Sequence, residues 1–207
     1  MLPKLNHTGG SDDAPNAWRN ILRHAAELGL NIDLEKRIVG VDSENLFDHP
    51  FVFIHGRNDF FYHNAETKLL AKYLEGGNRG FIFADAICSS GNFQAAFEKQ
   101  MGRVFPGQTL EPIPADHPMW TNQFGGFDLR TVTMTKPDRT KSDGVAKQKI
   151  SPQFKGIEIN GRYAVVYSPF DLSCALENTA YSNCEGYTRE DAIKLGINVL
   201  LYRLHAD

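Results

Sequence analysis

Short, wholly apolar runs alternate along this chain with longer stretches in which apolar residues recur at helical spacing. Phe51-Val-Phe-Ile-His55 and Gly80-Phe-Ile-Phe-Ala-Asp85 are the clearest short runs. Side chains alternate across a strand, so a run apolar on both faces predicts a strand covered on both sides. Arg37-Ile-Val-Gly-Val-Asp42 predicts another strand, and a short first strand precedes His7, Gly9 and Gly10. Between these runs the period changes. Trp18, Ile21, Leu22, Ala25 and Leu28 share one helix face, with Ser11-Asp12-Asp13 offering caps, Pro15 in the first turn and Gly29 at the end. Leu69, Leu70, Tyr73 and Leu74 form the inner stripe of a second helix, capped by Asn64 and closed by Gly76-Gly77. Phe93, Ala96, Phe97 and Met101 carry a third.

The segment from about 106 to 156 breaks this rhythm. It opens on Pro106, Pro112, Pro114 and Pro118, passes a strand-like stretch at Leu129–Thr135, and then turns polar. Lys136 to Lys149 holds five basic and two acidic residues, which predicts a solvated, mobile excursion, with a docking loop for an acidic partner as its other reading. Gly156 to Ser168 then reads as a hairpin about Asn160-Gly161, a pair suited to a tight turn with positive φ at both central residues. Thr188-Arg-Glu-Asp191 opens the final helix, which continues through Ala192, Leu195, Val199 and Leu200. Alternating strands and helices predict α/β architecture with a mostly parallel, doubly wound sheet and a late β-hairpin. One domain accounts for residues 1–207, with 106–156 as its loop-rich excursion.

Composition narrows the partners more than the fold. The chain has 207 residues, 42% of them hydrophobic, which is enough for a full core. A net charge of -3 disfavours general nucleic-acid or membrane-surface binding. No apolar run approaches the ~20 residues that span a bilayer, so no membrane insertion is expected. Met1-Leu-Pro-Lys-Leu-Asn6 lacks a signal-peptide pattern, although the sequence is also compatible with a piece of a longer protein. Three cysteines, Cys88, Cys174 and Cys184, give no disulfide framework and no C-x-x-C. Such usage points by default to a reducing, cytoplasmic compartment and leaves a Cys174–Cys184 bridge open. The oligomeric state is not legible.

In open parallel sheets, ligands bind beyond the carboxyl ends of the strands. That rule selects Asp42, His55, Arg57, Asp85, Cys88, Ser168, Asp171 and Cys174. Cys88, between a buried strand and a helix start, is placed where backbone amides lower a thiol pKa, the usual housing of a nucleophile. Its other reading is a small residue at a crowded turn. His117, in Asp116-His-Pro118, is held extended and is a candidate base, against a structural role bonded to backbone. Asp85, Cys88, Asp171, Cys174 and Glu177, with His55 or His117, contain no diagnostic ligand spacing, so no metal is assigned. Neither a phosphate-binding loop of the Walker type, a G-x-G-x-x-G, nor a G-x-S-x-G elbow occurs, and no cofactor is expected.

Leu46-Phe-Asp-His-Pro-Phe51, Tyr73-Leu-Glu-Gly-Gly77, Phe81-Ile-Phe-Ala-Asp85, Ala115-Asp-His-Pro118, Tyr167-Ser-Pro-Phe-Asp-Leu-Ser-Cys174 and Leu195-Gly-Ile-Asn-Val-Leu-Leu-Tyr202 resemble the bacterial domain-of-unknown-function family numbered 4159. The resemblance implies a three-layer α/β/α sandwich, flavodoxin-like, of the class I glutamine-amidotransferase-like superfamily. Its members often end larger, sometimes membrane-anchored proteins, which would make the compartment periplasmic. It brings no established activity. True amidotransferases also need a His-x-Glu after a later strand; Ser168-Pro-Phe-Asp171 stands there instead. The expectation is therefore non-catalytic binding of a small polar ligand, a sugar or peptide fragment, by His55, Arg57, Asp85, Ser168 and Asp171, with Trp120 and Phe124 as an apolar wall. A Cys88 hydrolase or transferase with His117 as base is the alternative, and a protein-docking module the third.

Overall fold

The structure, a computed structural model, describes residues 2–77, 79–177 and 184–205. Its main sheet is built from β1 (Lys4–Leu5), β2 (Ile38–Val39), β3 (Val52–Gly56), β4 (Ile82–Ala86), β5 (Glu111–Pro112), β8 (Lys155–Ile159) and β9 (Arg162–Ser168), in the order β2-β1-β3-β4-β9-β8-β5. The first five in that order run parallel, and β8 and β5 extend the edge antiparallel. β3 and β4 are buried at every position, as their unbroken apolar sequence requires.

Alternation along those strands makes two cores. Phe51, Phe53, Phe81, Phe83 and Val166 face α1 (Ala17–Glu27), α4 (Ser173–Glu177) and α5 (Arg189–His205). Val52, Ile54, Ile82, Ala84, Val165 and Tyr167 face α2 (Asn64–Glu75) and α3 (Gly91–Val104). The result is the three-layer α/β/α sandwich expected. Trp18 of α1 seals the first core, its ring 5.2 Å from Phe51 and 4.8 Å from Phe53 and nearly parallel to both. Asn160 and Gly161 turn the β8–β9 hairpin with φ of 54° and 78°, as the Asn-Gly pair predicts.

Two expectations change. The first helix begins at Ala17, not near Ser11, because Lys4 Nζ draws the Ser11 carbonyl (2.8 Å) and the Asp12 carboxylate (2.9 Å) away from helical geometry. Glu177 supplies the missing cap from outside, accepting from Asn16 N. The excursion is also more ordered than its composition suggests. β6 (Val132–Pro137) and β7 (Val145–Ile150) pair antiparallel, and β10 (Gly186–Tyr187) adds to β6 to make a second, three-stranded sheet. Val132 and Met134 are buried, so alternate apolar positions anchor β6 although its neighbours are polar.

Candidate functional site

Parallel register sets His55, Asp85 and Ser168 side by side at the carboxyl ends of β3, β4 and β9. All three are fully buried, and Asp171 nearly so. These side chains share one sheet edge, but they bond to Lys4, Ser173 and backbone groups and not outward. Lys4 Nζ, held by Ser11 O and Asp12, lies 3.4 Å from His55 Nε2. His55 Nδ1 lies 2.7 Å from Ser173 Oγ, and Ser173 in turn bonds the Asp85 carboxylate. His55 Nε2 also lies 3.1 Å from the Ser11 carbonyl, so each ring nitrogen has a buried polar partner, and Ser173 links the imidazole to Asp85. Burial holds the His55 imidazole down at about 3, and the Lys4 ammonium beside it acts in the same sense. Ser168 turns its hydroxyl onto Phe170 O.

Two carboxylates close the end of the array. Asp85 accepts from Leu172 N (3.0 Å) and Ser173 N (2.9 Å). Asp171 accepts from Cys88 N (2.5 Å), Cys174 N (3.3 Å) and Ala175 N (3.3 Å). The first turn of α4 is thereby tied to the ends of β4 and β9. Desolvation raises the pKa of both acids, and the charge of Asp171 adds to the effect on Asp85.

The cysteines depart from expectation. Cys88 is bonded to Cys184, and Cys174 is the free thiol. The pairing left open from the sequence, Cys174–Cys184, is thus replaced by one spanning 96 residues. Its physical reason is the path of the chain before β10. Glu185 O accepts from both Ser89 Oγ and Asp171 N, which seats Cys184 over the β4–α3 turn. Cys88 and Ser89 there have φ of 55° and 54°, a left-handed turn made without glycine. A bonded Cys88 is no nucleophile. Cys174 Sγ lies 3.9 Å from Cys184 Sγ, and burial first, then Asp171, pushes its thiol up to about 12.

His117 is not near Cys88. Its ring packs 5.1 Å from Tyr163, at the opposite end of β9, and its Nδ1 accepts from Met119 N at 3.1 Å. The length of β9, about 20 Å at the usual rise per residue, separates candidate nucleophile and candidate base. His117 instead borders a cleft of about 490 Å³ with Arg79, Phe124, Arg162 and Tyr202. Trp120 is fully buried against Phe154 (ring centroids 4.8 Å apart), so it builds the core and not a ligand wall. Arg57 is exposed at the correct edge, and its charge reaches Cys174. Of the mixed ligand set considered from sequence, Asp171 and Cys174 come together with Cys184 within 4.8 Å, but the Cys184 sulfur is bonded to Cys88.

Beyond the carboxyl ends of β4 and β9 lies a second cleft, of about 640 Å³. Ile113, Phe154 and Phe170 give it apolar walls; Gln94, Gln153 and Lys155 give it polar ones, and Ser89 and Glu185 bring it to the disulfide. Sequence reasoning missed this lining, because Gln153 and Lys155 sit in the stretch read as excursion. It also missed Lys4 and Ser173. A lysine inside a short apolar strand was the available signal for the first, and a serine two residues after Asp171 at a helix start for the second.

Among the described residues no helix is long and apolar enough to cross a membrane. No curated protein matches the chain. A sequence model of the family described as "Domain of unknown function (DUF4159)" matches residues 1–204, and the chain belongs to that family.

Proposed function

We propose that this member of the DUF4159 family binds a small polar ligand, a sugar or a peptide fragment, at the carboxyl edge of its sheet. The observation that carries the reading is the cleft of about 640 Å³ at that edge, where apolar walls from Pro114, Pro169 and Phe170 meet the amides of Gln94 and Gln153. Concave sites with a few convergent polar groups on apolar walls are the usual form of small-ligand sites. In this reading the buried array of Lys4, His55, Ser173 and Asp85 is the rigid floor, and the ligand meets the rim: Ser89, Gln153, Lys155 and Phe170. Arg57 stands near that rim, whereas His55, Asp85, Ser168 and Asp171 act from beneath. The parallel order β2-β1-β3-β4-β9 supports placing the fold in the class I glutamine-amidotransferase-like, flavodoxin-like group.

The enzyme alternative requires a free Cys88 close to a base, and the bonded sulfur and the remote His117 speak against it. The test is a thermal-shift and NMR titration with a panel of mono- and disaccharides and of tripeptides. Binding is expected to perturb amides of Gln153 and Phe170, and Gln153→Ala with Phe170→Ala should abolish it. Hits that survive both substitutions, or no hit across the panel, overturn the reading.

A further inference from the structure

We propose that the three cysteines form a thiol–disulfide exchange site, in which Cys174 takes Cys184 from Cys88 and leaves Cys88 as a modifiable thiol beside the cleft. The inference is independent of what the cleft binds.

Three observations meet here. A free thiol, Cys174, stands 3.9 Å from one sulfur of an existing disulfide, close enough for attack after a small side-chain rotation. That thiol bonds the Asp171 carboxylate, which gives its proton a local acceptor. The sulfur that would leave, Cys88, precedes the N-cap Ser90 of the 14-residue helix α3, where the helix field favours a thiolate. A leaving thiol of lower pKa departs faster, and the attacking sulfur must be the thiolate. Asymmetry between the two thiols is therefore built in: Cys174 is disfavoured as an anion, whereas Cys88 is favoured.

The step balances without an external oxidant. The Cys174 S–H bond breaks and its proton passes by way of an Asp171 oxygen to solvent water. The Cys174 sulfur then bonds Cys184 Sγ as the Cys184–Cys88 bond breaks, and the electron pair leaves on Cys88 Sγ. One disulfide and one thiol remain, before and after. Released Cys88 neighbours Ser89, which lines the cleft, so its thiol becomes the group open to alkylation or to a mixed disulfide with a small thiol compound. Arg57, whose charge lowers the Cys174 pKa against the larger effect of burial, assists thiolate formation.

The experiment incubates the unreduced protein at several pH values, quenches it with acid, and labels the remaining thiol with N-ethylmaleimide in denaturant for peptide mapping. Label is expected on both Cys174 and Cys88. Its approach to a fixed ratio should quicken about tenfold per pH unit, because the thiolate fraction rises tenfold while pH stays below the thiol pKa. A second arm uses Cys88→Ser, which should form a Cys174–Cys184 disulfide in air with an unchanged far-UV circular dichroism spectrum. Label confined to Cys174 at every pH overturns the proposal, as do two persistent free thiols in a folded Cys88→Ser protein. If that variant does not fold, the labelling of the unmodified chain decides alone.

Discussion

His55 Nδ1 and Ser173 Oγ meet at 2.7 Å across 118 residues of sequence, joining the end of β3 to the first turn of α4 in a fully buried bond. Ser173 is the one hydroxyl between an imidazole and a carboxylate, neither of which reaches water. Ser173→Ala leaves His55 Nδ1 buried without a partner and removes a donor from Asp85. An unsatisfied buried polar group costs about 1–3 kcal/mol, so the urea midpoint should fall by that much free energy with little change in slope. An unchanged midpoint would mean that solvent reaches the array.

The same array sets the response to acid. Burial holds His55 at about 3 and His7 at about 4, both below the ordinary 6.5. Protons then bind the unfolded chain in preference. The two imidazoles contribute their full stability above pH 6.5 and lose it as pH falls toward 4 and 3. Each unit of depressed pKa traversed is worth about 1.4 kcal/mol, so moving from pH 6.5 to pH 5 should cost up to ~2 kcal/mol through His55 alone. His7, partly exposed, contributes less. Asp85 and Asp171 act in the opposite sense, since their raised pKa values favour the folded state at low pH and lose that advantage as pH rises through them. The stability difference between the unmodified protein and His55→Gln isolates the imidazole from the two acids, and it should shift against the unmodified protein by up to ~2 kcal/mol between pH 6.5 and pH 5. A difference that stays constant over this range would show that His55 is not protonated on unfolding.

How far the chain discloses this edge depends on what each residue's partner is. Phe51–Ile54 and Phe81–Ala84 announce strands buried on both faces because apolarity alone decides that, and position at a strand end then brings His55, Asp85 and Ser168 together. Whether those groups face a ligand or each other depends on Lys4 and Ser173, which lie 51 and 118 residues from His55. No local pattern encodes such a contact. Cys88 shows the same limit: its place on the strand–helix turn is legible, but the sulfur bonded to it arrives from a segment fixed by Glu185. β6 was legible as the strand-like stretch at Leu129–Thr135, whereas β7 was hidden, since a strand exposed along most of its length carries few apolar residues.

The Cys88–Cys184 bond closes a long loop. In the chain-entropy view it restricts the unfolded ensemble, an effect of typically about 2–4 kcal/mol. Cys184→Ser should lower the stability of the folded chain by that order, and adding a dithiol reductant to the unmodified protein should produce a similar loss. Equal midpoints with and without reductant would indicate that the bond constrains little beyond the contacts already made by Glu185.

Asn198 performs with one amide what an apolar residue in α5 could not. It is buried, and its Oδ1 accepts from Phe127 N at 2.9 Å while Nδ2 donates to Met119 O at 2.9 Å and Phe127 O at 2.8 Å. The irregular stretch from Met119 to Phe127 has few ladder bonds of its own, and α5 lends it these. Asn198→Leu fills similar volume but strands an N–H and three carbonyls, Thr121 O among them at 3.2 Å from Nδ2, at about 1–3 kcal/mol for each group that water cannot reach. Hydrogen exchange should then quicken over residues 119–127 while the amide of Val165, in the centre of the sheet, keeps its protection relative to the new global stability. Uniform quickening across the chain would instead make Asn198 a general core residue, with no particular hold on the loop.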